Sequence, residues 1–349
     1  MQSRAIKDGR VTFGLFITAI HPRGEDLAQR LAEHREQVTL VREVGFTSIA
    51  AGQHFITQPL QMPATVAYLT SLAEISGRMR LVIGVALLPL MNPVLLAEDV
   101  ATLDWLSDGR VVLGLGIGYR PAEFAAMGVA TRDRVGRFNE TLAIMRAIWS
   151  AEDTWSFHGK YYNFDDLPGG LKPKQHPHPP LWVAADVDNA VRRAARLGAA
   201  WYINPRAKLA SLKEQLQVFQ EALAESGNPT PAEFPIRREA FIARTDREAR
   251  TMAVRYLRRM LEIYEAWGQY EVMPGADERD RTFGEDDIPD TYLVGTPDRV
   301  GDLIQKYNEE LGVNHFVLRM QWPGMPHRDV MSSIELLGEN LVPRFSRLG

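Results

Sequence analysis

Short unbroken runs of apolar residues alternate along the chain with longer segments whose apolar positions recur every three or four residues. The first pattern suits a strand covered on both faces, the second a helix packed on one side. Residues 12–17, 48–51, 81–85 and 111–115 read as four strands, and residues 25–44, 64–75, 93–106 and 131–149 as helices. Gly45 and Gly77 end the first two helices, while Pro93 opens the third, where a missing N–H costs nothing. Residues 151–180 break the rhythm with Phe157, Tyr161, Tyr162 and Phe164, then Pro173, Pro177, Pro179 and Pro180. That stretch is expected to be an ordered surface excursion with a small hairpin. The alternation resumes with strands at 181–185, 201–203, 236–243 and 315–319. The helices of this half are 189–197, 209–226, 247–267, 297–311 and 330–341, one more than its strands. Residues 268–289, rich in Gly, Asp, Glu and Arg, are too polar for a core and read as a mobile loop.

This is eight strands, each followed by a helix, and no strand pair is joined by a two-residue Asn-Gly type turn. Parallel pairing through crossover helices follows. The expected fold is an α/β class (β/α)8 TIM barrel with insertions, one domain over residues 1–349. Its insertion lies at about 151–180 and its mobile loop at about 268–290. A doubly wound sheet with a second domain is the alternative.

Composition narrows the function classes. The 349 residues carry 40 Lys+Arg against 44 Asp+Glu, and the pI of about 6.1 argues against a general nucleic-acid partner. The chain has no Cys, which excludes a thiol nucleophile, a thiolate zinc site, an iron–sulfur cluster and a disulfide scaffold. The longest apolar run, residues 81–91, is half of the ~20 residues a membrane span needs. Residues 1–10 lack the apolar core of a signal peptide. A cytoplasmic protein with no membrane partner is expected.

A barrel carries its chemistry at the C-terminal strand ends. That filter selects His21, Gln53 and His54, residues 88–92 and 116–120, residues 186–189, Asn204, residues 239–241 and residues 319–322. His54 has the side chain titrating nearest neutrality, so it is a candidate acid, base or hydrogen-bond donor, or else it fixes a loop. Gly114-Leu-Gly116-Ile-Gly118 is half of a dinucleotide fingerprint, ending on Tyr119 where a glycine belongs. Those glycines either let a flat group approach or let two strands pack. Residues 186–189 open a helix whose backbone N–H groups can hold a phosphate. Asp188 or Asn189 reads there as an N-cap, and the acids at Asp186 and Asp188 leave only the backbone for an anion. Of Arg237 and Arg238, on one strand, one is expected to point into the barrel or to pair with Glu239. His176 and His178 lack a third ligand, so no metal is expected. No GxSxG elbow or P-loop occurs.

The run Pro89-Leu-Met-Asn-Pro93 through Glu98-Asp99, Asp104 and Ser107-Asp-Gly109-Arg110 resembles the bacterial luciferase-like flavin-dependent monooxygenases. So do Phe13-Gly14-Leu15-Phe16, Gln53-His54-Phe55, Gly118-Tyr119-Arg120-Pro121-Ala-Glu-Phe124, Phe157-His-Gly159-Lys-Tyr161-Tyr162 and Val294-Gly295-Thr296-Pro297. The resemblance spans essentially the whole chain and is most specific over 92–110. It implies a flavin across the barrel mouth, its ring near a cis peptide at Gly84-Val85 and near Tyr119. It places the phosphate along Ala185, Asp186, Val187, Asp188 and Asn189, with Asn204 lining the site.

The resemblance also implies reduced FMN as cofactor, supplied by a separate reductase, and O2 as co-substrate; the absent nicotinamide fingerprint agrees. Coenzyme F420, a deazaflavin that passes hydride, is the alternative, and a flavin-binding protein without catalysis is a second one. Two departures stand out. Where such proteins carry Glu-His-His after the second strand, this chain reads Gly52-Gln53-His54, so a glutamine that cannot take a proton replaces the catalytic histidine. His54 is then the donor to flavin or substrate, with Gln53 orienting it. Where luciferases place Arg after the fourth strand and Ser at the phosphate, this chain has Ile117 and Val187, so backbone amides or an arginine such as Arg120 must serve. Phe55, Met91, Arg319 and Trp322 are expected to shape the pocket of a small, mainly apolar organic substrate. The loop at 268–290 is expected to close over the site, with Arg279 or Arg281 reaching the flavin. A homodimer is expected from the resemblance.

Overall fold

The apolar runs become the inner wall of the molecule. In the computed structural model, which describes residues 10–269 and 282–346, nine strands form one all-parallel sheet. They are β1 (Thr12–Phe16), β2 (Ser48–Ala51), β3 (Arg80–Leu87), β4 (Val111–Gly116) and β5 (Leu181–Ala184). β6 (Ala200–Tyr202), β7 (Pro235–Ile242), β8 (Leu293–Gly295) and β9 (His315–Arg319) complete it. The order is β6-β5-β4-β3-β2-β1-β9-β7-β8. The sheet curls until Ile203, just past β6, bridges Ile236 of β7. Backbone bonds from Ile203 to Pro235 (3.0 Å) and from Arg237 to Ile203 (3.1 Å) join the two. β8, Leu293–Gly295, went unread in the sequence: two apolar residues and a glycine lead directly into the Thr296-Pro297 helix start.

The helices follow their caps. Asn92 accepts from the N–H groups of Val94 and Leu95, and Pro93 sits at the first position, so that helix starts at Pro93 and ends at Leu106. Gly227 and Gly312, both left-handed, end Leu209–Ser226 and Pro297–Leu311. The helix expected at 247–267 is broken by a π turn, Ala253–Leu257, between Asp246–Met252 and Arg258–Ala266. Such a turn shifts the helix phase locally, too little to separate the segment from one continuous helical period. The excursion holds an antiparallel hairpin, Thr154–His158 against Asn163–Pro168.

The segment that resembled a known family most closely turns out to build the strand-entry end. Asp104, fully buried, accepts from Gln175 N (2.8 Å), Gln175 Nε2 (2.7 Å) and Val111 N (3.3 Å). Arg110 donates to Ala73 O (2.8 Å), Ser76 Oγ (2.9 Å) and Met79 O. These bonds tie the start of β4 to the helix before β3.

His21, selected by the strand-end filter, is not at the cavity described below. Its Nε2 lies 3.2 Å from Nε2 of His34, and His34 Nδ1 meets Tyr68 OH at 2.8 Å. Burial, then the charge of Arg30, lowers His21 to about 4; burial, then its neighbour His21, lowers His34 to about 3. The unfolded chain therefore takes up these protons first, and folding stability must fall as pH drops below 6.5. Between pH 7 and pH 5 each histidine is expected to remove about 2 kcal/mol. Urea denaturation at the two pH values checks this: the double variant His21→Gln, His34→Gln should lose that pH dependence, and an unchanged slope would overturn it.

Candidate functional site

The C-terminal ends of the strands surround a cavity of about 260 Å³. Every strand of the curled sheet except β8 contributes to its wall or to a loop beside it. Phe16, Ile17 and Ala19 come from β1 and its exit, Gly84 and Val85 from β3, Ala185 from the loop after β5, and Tyr202 and Ile203 from β6. The peptide between Gly84 and Val85 is cis, and the β3–β4 register shifts between Ile83 and Ala86. Gly114 and Gly116 make room for this irregular strand. A Cβ on Gly114 would lie 2.3 Å from Ile83 O, and one on Gly116 would lie 2.5 Å from Val85 Cγ2. The strand-packing reading of those glycines is thus the one the geometry favours over approach of a flat ligand.

His54 sits at the cavity edge with its ring held on three sides. Tyr119 and Trp267 meet it edge-on at 5.9 and 5.1 Å, and Tyr264 is tilted at 6.2 Å. Its Nδ1 bonds to Glu123 Oε1 at 3.0 Å. The same oxygen accepts from Phe55 N (2.9 Å) and Arg120 Nη1 (3.2 Å), and Glu123 is wholly buried. Burial outweighs these partners for His54 and lowers its pKa, so the ring is neutral at pH 7. For Glu123 burial pushes upward, but the His54 bond and charge, the Phe55 N–H and the Arg120 charge hold it below the ordinary carboxylate range. A carboxylate locked on Nδ1 leaves Nε2 as the ring nitrogen that can serve the cavity. Glu123 was missed in the sequence because it lies 69 positions from its partner; a glutamate in the helix after Gly118-Tyr119-Arg120 was its only signal.

Gln53 lines the cavity, but both ends of its amide are engaged by backbone. Oε1 accepts from Thr65 N (3.1 Å), at the start of the helix Thr65–Leu72, and Nε2 donates to His54 O (3.2 Å). It therefore fixes the loop that carries His54. Arg120 is likewise spent, on Phe55 O (2.9 Å), on Glu123 and on the Trp267 ring at 4.0 Å. Arg134, Arg237 and Arg319 line the cavity; sequence reasoning overlooked Arg134 because it opens a helix and ends no strand.

Asp186, Val187 and Asn204 line the cavity; Asp188 and Asn189 lie exposed just outside it. The N-cap is Val187, not Asp188 or Asn189, and no side chain caps this helix end. Its first N–H groups are thereby left for a ligand. Asn204 is tied up, donating to Asp186 Oδ1 (2.9 Å) and accepting from Arg206 N (2.9 Å). Burial raises the Asp186 pKa, easing one carboxylate's conflict with an anion.

Of the residues expected to shape a substrate pocket, Arg319 lines the cavity and Phe55, Met91 and Trp322 do not. Phe55 packs in a small cluster with Leu87, Leu90 and Phe124. Met91 packs against the main core. Trp322 is fully buried behind the wall, donating from Nε1 to Glu239 Oε2 at 2.9 Å. Arg237 faces the cavity and also pairs with Glu239, at 3.4 Å. Arg238 turns the other way, donating to Asn204 O (2.6 Å) and Ala207 O (3.0 Å). Tyr119 OH and Tyr202 OH are buried at the cavity without a protein partner. Arg279 and Arg281 lie outside the described residues. Among the described residues no helix is long and apolar enough to cross a membrane.

The luciferase-like monooxygenase family profile matches residues 11–315, and the chain belongs to that family. It is 24% identical to an F420-dependent glucose-6-phosphate dehydrogenase of Amycolatopsis mediterranei, over 90% of this chain and 94% of that one. It is 29% identical to an FMNH2-dependent dimethylsulfone monooxygenase of Pseudomonas putida, over 47% of this chain and 44% of that one. In three dimensions it is similar to the monooxygenase RslO1 from Streptomyces bottropensis, with a TM-score of 0.84 at 24% identity, over 96% of this chain and 99% of that one.

Proposed function

We propose that this luciferase-like chain is a two-component monooxygenase that takes reduced FMN from a separate reductase and oxygenates a small, mainly apolar organic substrate with O2. The observation that carries the proposal is the pairing of His54 with Glu123 at the edge of a cavity whose buried Tyr119 and Tyr202 hydroxyls lack protein partners. Orphaned buried hydroxyls call for a polar ligand, and the walls at Val85, Ala185 and Ile203 are apolar. That combination fits a flat ring with a polar edge. The eight strands other than β8, joined by the Ile203–Ile236 bridge, support reading the scaffold as a (β/α)8 barrel.

In this reading the uncapped N–H groups of Asp188 and Asn189 hold the cofactor phosphate, with Arg134 beside the cavity adding charge. Ala185 and Val187 flank that phosphate, and Gly84, Val85 and Tyr119 border the ring. Bound reduced FMN supplies oxygen activation. His54 gives or takes a proton at Nε2, Glu123 fixes its tautomer, and Gln53 holds the loop. Most of the loop expected at about 268–290 lies outside the described residues; in this reading the enzyme works as a homodimer.

His54→Ala is expected to lower turnover about 10²–10³-fold while leaving FMN affinity within severalfold, as stopped-flow turnover and equilibrium titration would read. Equal losses in both would make His54 a cofactor-binding residue instead.

Coenzyme F420 is the second reading, favoured by the F420-dependent relative, which matches 90% of this chain. Parallel titrations with FMN, FMNH2 and both redox states of F420 separate the two. Tightest binding of FMNH2, with substrate-dependent O2 uptake, is the expected result. Tightest binding of F420 would move the chain to hydride transfer.

A further inference from the structure

Two arginines in the cavity wall have no part in that reading. Arg237 on β7 and Arg319 at the end of β9 lay their guanidiniums against the ring of Phe16, at 3.9 and 4.8 Å from its centroid. They share a single carboxylate oxygen: Glu239 Oε1 lies 3.4 Å from Arg237 Nη2 and 3.7 Å from Arg319 Nη1. The other oxygen, Oε2, is taken by Trp322. Arg319 Nη2 also donates to Tyr264 OH at 3.1 Å. One buried guanidinium, Arg319, and one largely buried, Arg237, against one buried anion leave one net positive charge on this wall. The Nε atoms of both arginines and the hydroxyl of Tyr202 are buried without a protein partner. Asp186, the acid among the cavity-lining residues, is occupied by Asn204. His54 is neutral and bound to Glu123.

A buried guanidinium without a full counter-charge is costly, and a wholly apolar substrate would leave this one unmatched. Guanidinium forks are suited to planar carboxylates. We propose that Arg237, Arg319 and Tyr202 form a subsite for a carboxylate carried by the substrate, whose remainder is apolar. The inference rests on the proposed reading for the cavity's being a shared cofactor and substrate chamber. It specifies the mainly apolar substrate as an organic acid, with Phe16, Ile17 and Val85 beside its body.

The test is calorimetric titration of the full chain with benzoate and with its uncharged counterpart benzamide, each with and without saturating FMN. Benzoate is expected to bind at least tenfold more tightly than benzamide, at one site per chain, with FMN present or absent. Arg237→Met should cut the preference to within twofold, and Arg237→Lys should keep part of it. Equal affinities for the two probes in the natural protein would overturn the proposal; that comparison needs no variant, so misfolding of one leaves it decisive. Displacement of FMN by benzoate, one for one, would assign the arginines to the cofactor and also overturn it. Benzoate preference in a chain that binds neither FMN nor F420 would sustain the anion subsite while ending the flavin reading.

Discussion

Glu123→Ala is expected to cost about 3–5 kcal/mol of folding stability and nearly all turnover, the range for stripping one partner from a buried charge pair. A single oxygen of Glu123 takes bonds from His54, Phe55 and Arg120. Among the described residues, truncation leaves Arg120 buried with Phe55 O and the Trp267 face to hold it. It also frees the His54 ring to turn. Glu123→Gln keeps the shape and removes the charge, so it should fold better and still be slow. Because the Glu123 carboxylate raises the His54 pKa against burial, its loss should move the acidic limb of the pH–rate profile to lower pH. Thermal melts with a pH profile of Glu123→Gln decide the matter. A limb that stays in place would show that Glu123 is only a structural anchor.

Gly114→Val should be almost as damaging, by a different cause. The Cβ position at Gly114 is 2.3 Å from Ile83 O and 3.4 Å from Gly84 Cα, both backbone atoms. The Val85 side chain also stands 3.2 Å away, but the tightest contact is with backbone, so β3 itself must shift. Overpacking of a tight site costs typically 1–3 kcal/mol, and here at least about 3 kcal/mol is expected. Since the same stretch of β3 forms the cavity wall, flavin affinity should fall with stability. Gly128→Ala, at a positive-φ turn with nothing within 4 Å of the Cβ position, serves as a comparison for backbone strain alone. Equal melting temperatures for natural protein and Gly114→Val would refute the packing argument.

Much of the fold was legible because its elements are long or sharply capped. The helices Pro93–Leu106, Leu209–Ser226 and Pro297–Leu311 begin and end where the sequence reading put them. Their Pro starts or Gly ends are local chemistry, readable without knowing any neighbour. Strand β8 and the π turn at Ala253–Leu257 escaped, the first merging into the start of the next helix and the second a one-residue change of phase. The segment that made the family recognisable, around Asp104 and Arg110, serves the strand-entry end of the fold. Likeness there identifies a scaffold and says little about what is turned over.

The site divided along the same line. His54 could be named because a histidine at a strand end is rare chemistry at a favoured position. Glu123, Arg134, Tyr202 and Tyr264 could not, since each matters through contacts with residues distant in the chain. What the sequence by itself determined is the alternation of strands and helices apart from β8, and the family; an inward-facing arginine at 237 or 238 was one of two readings it left open. Which one does so was decided by pairing: β7 sets Arg237 opposite Val317 and Arg238 opposite Leu318 of β9. A slip of one residue would have put Arg238 in the cavity and Arg237 under the helices, because side chains alternate along a strand. That register is fixed by the packing of the whole curled sheet, which no single segment encodes.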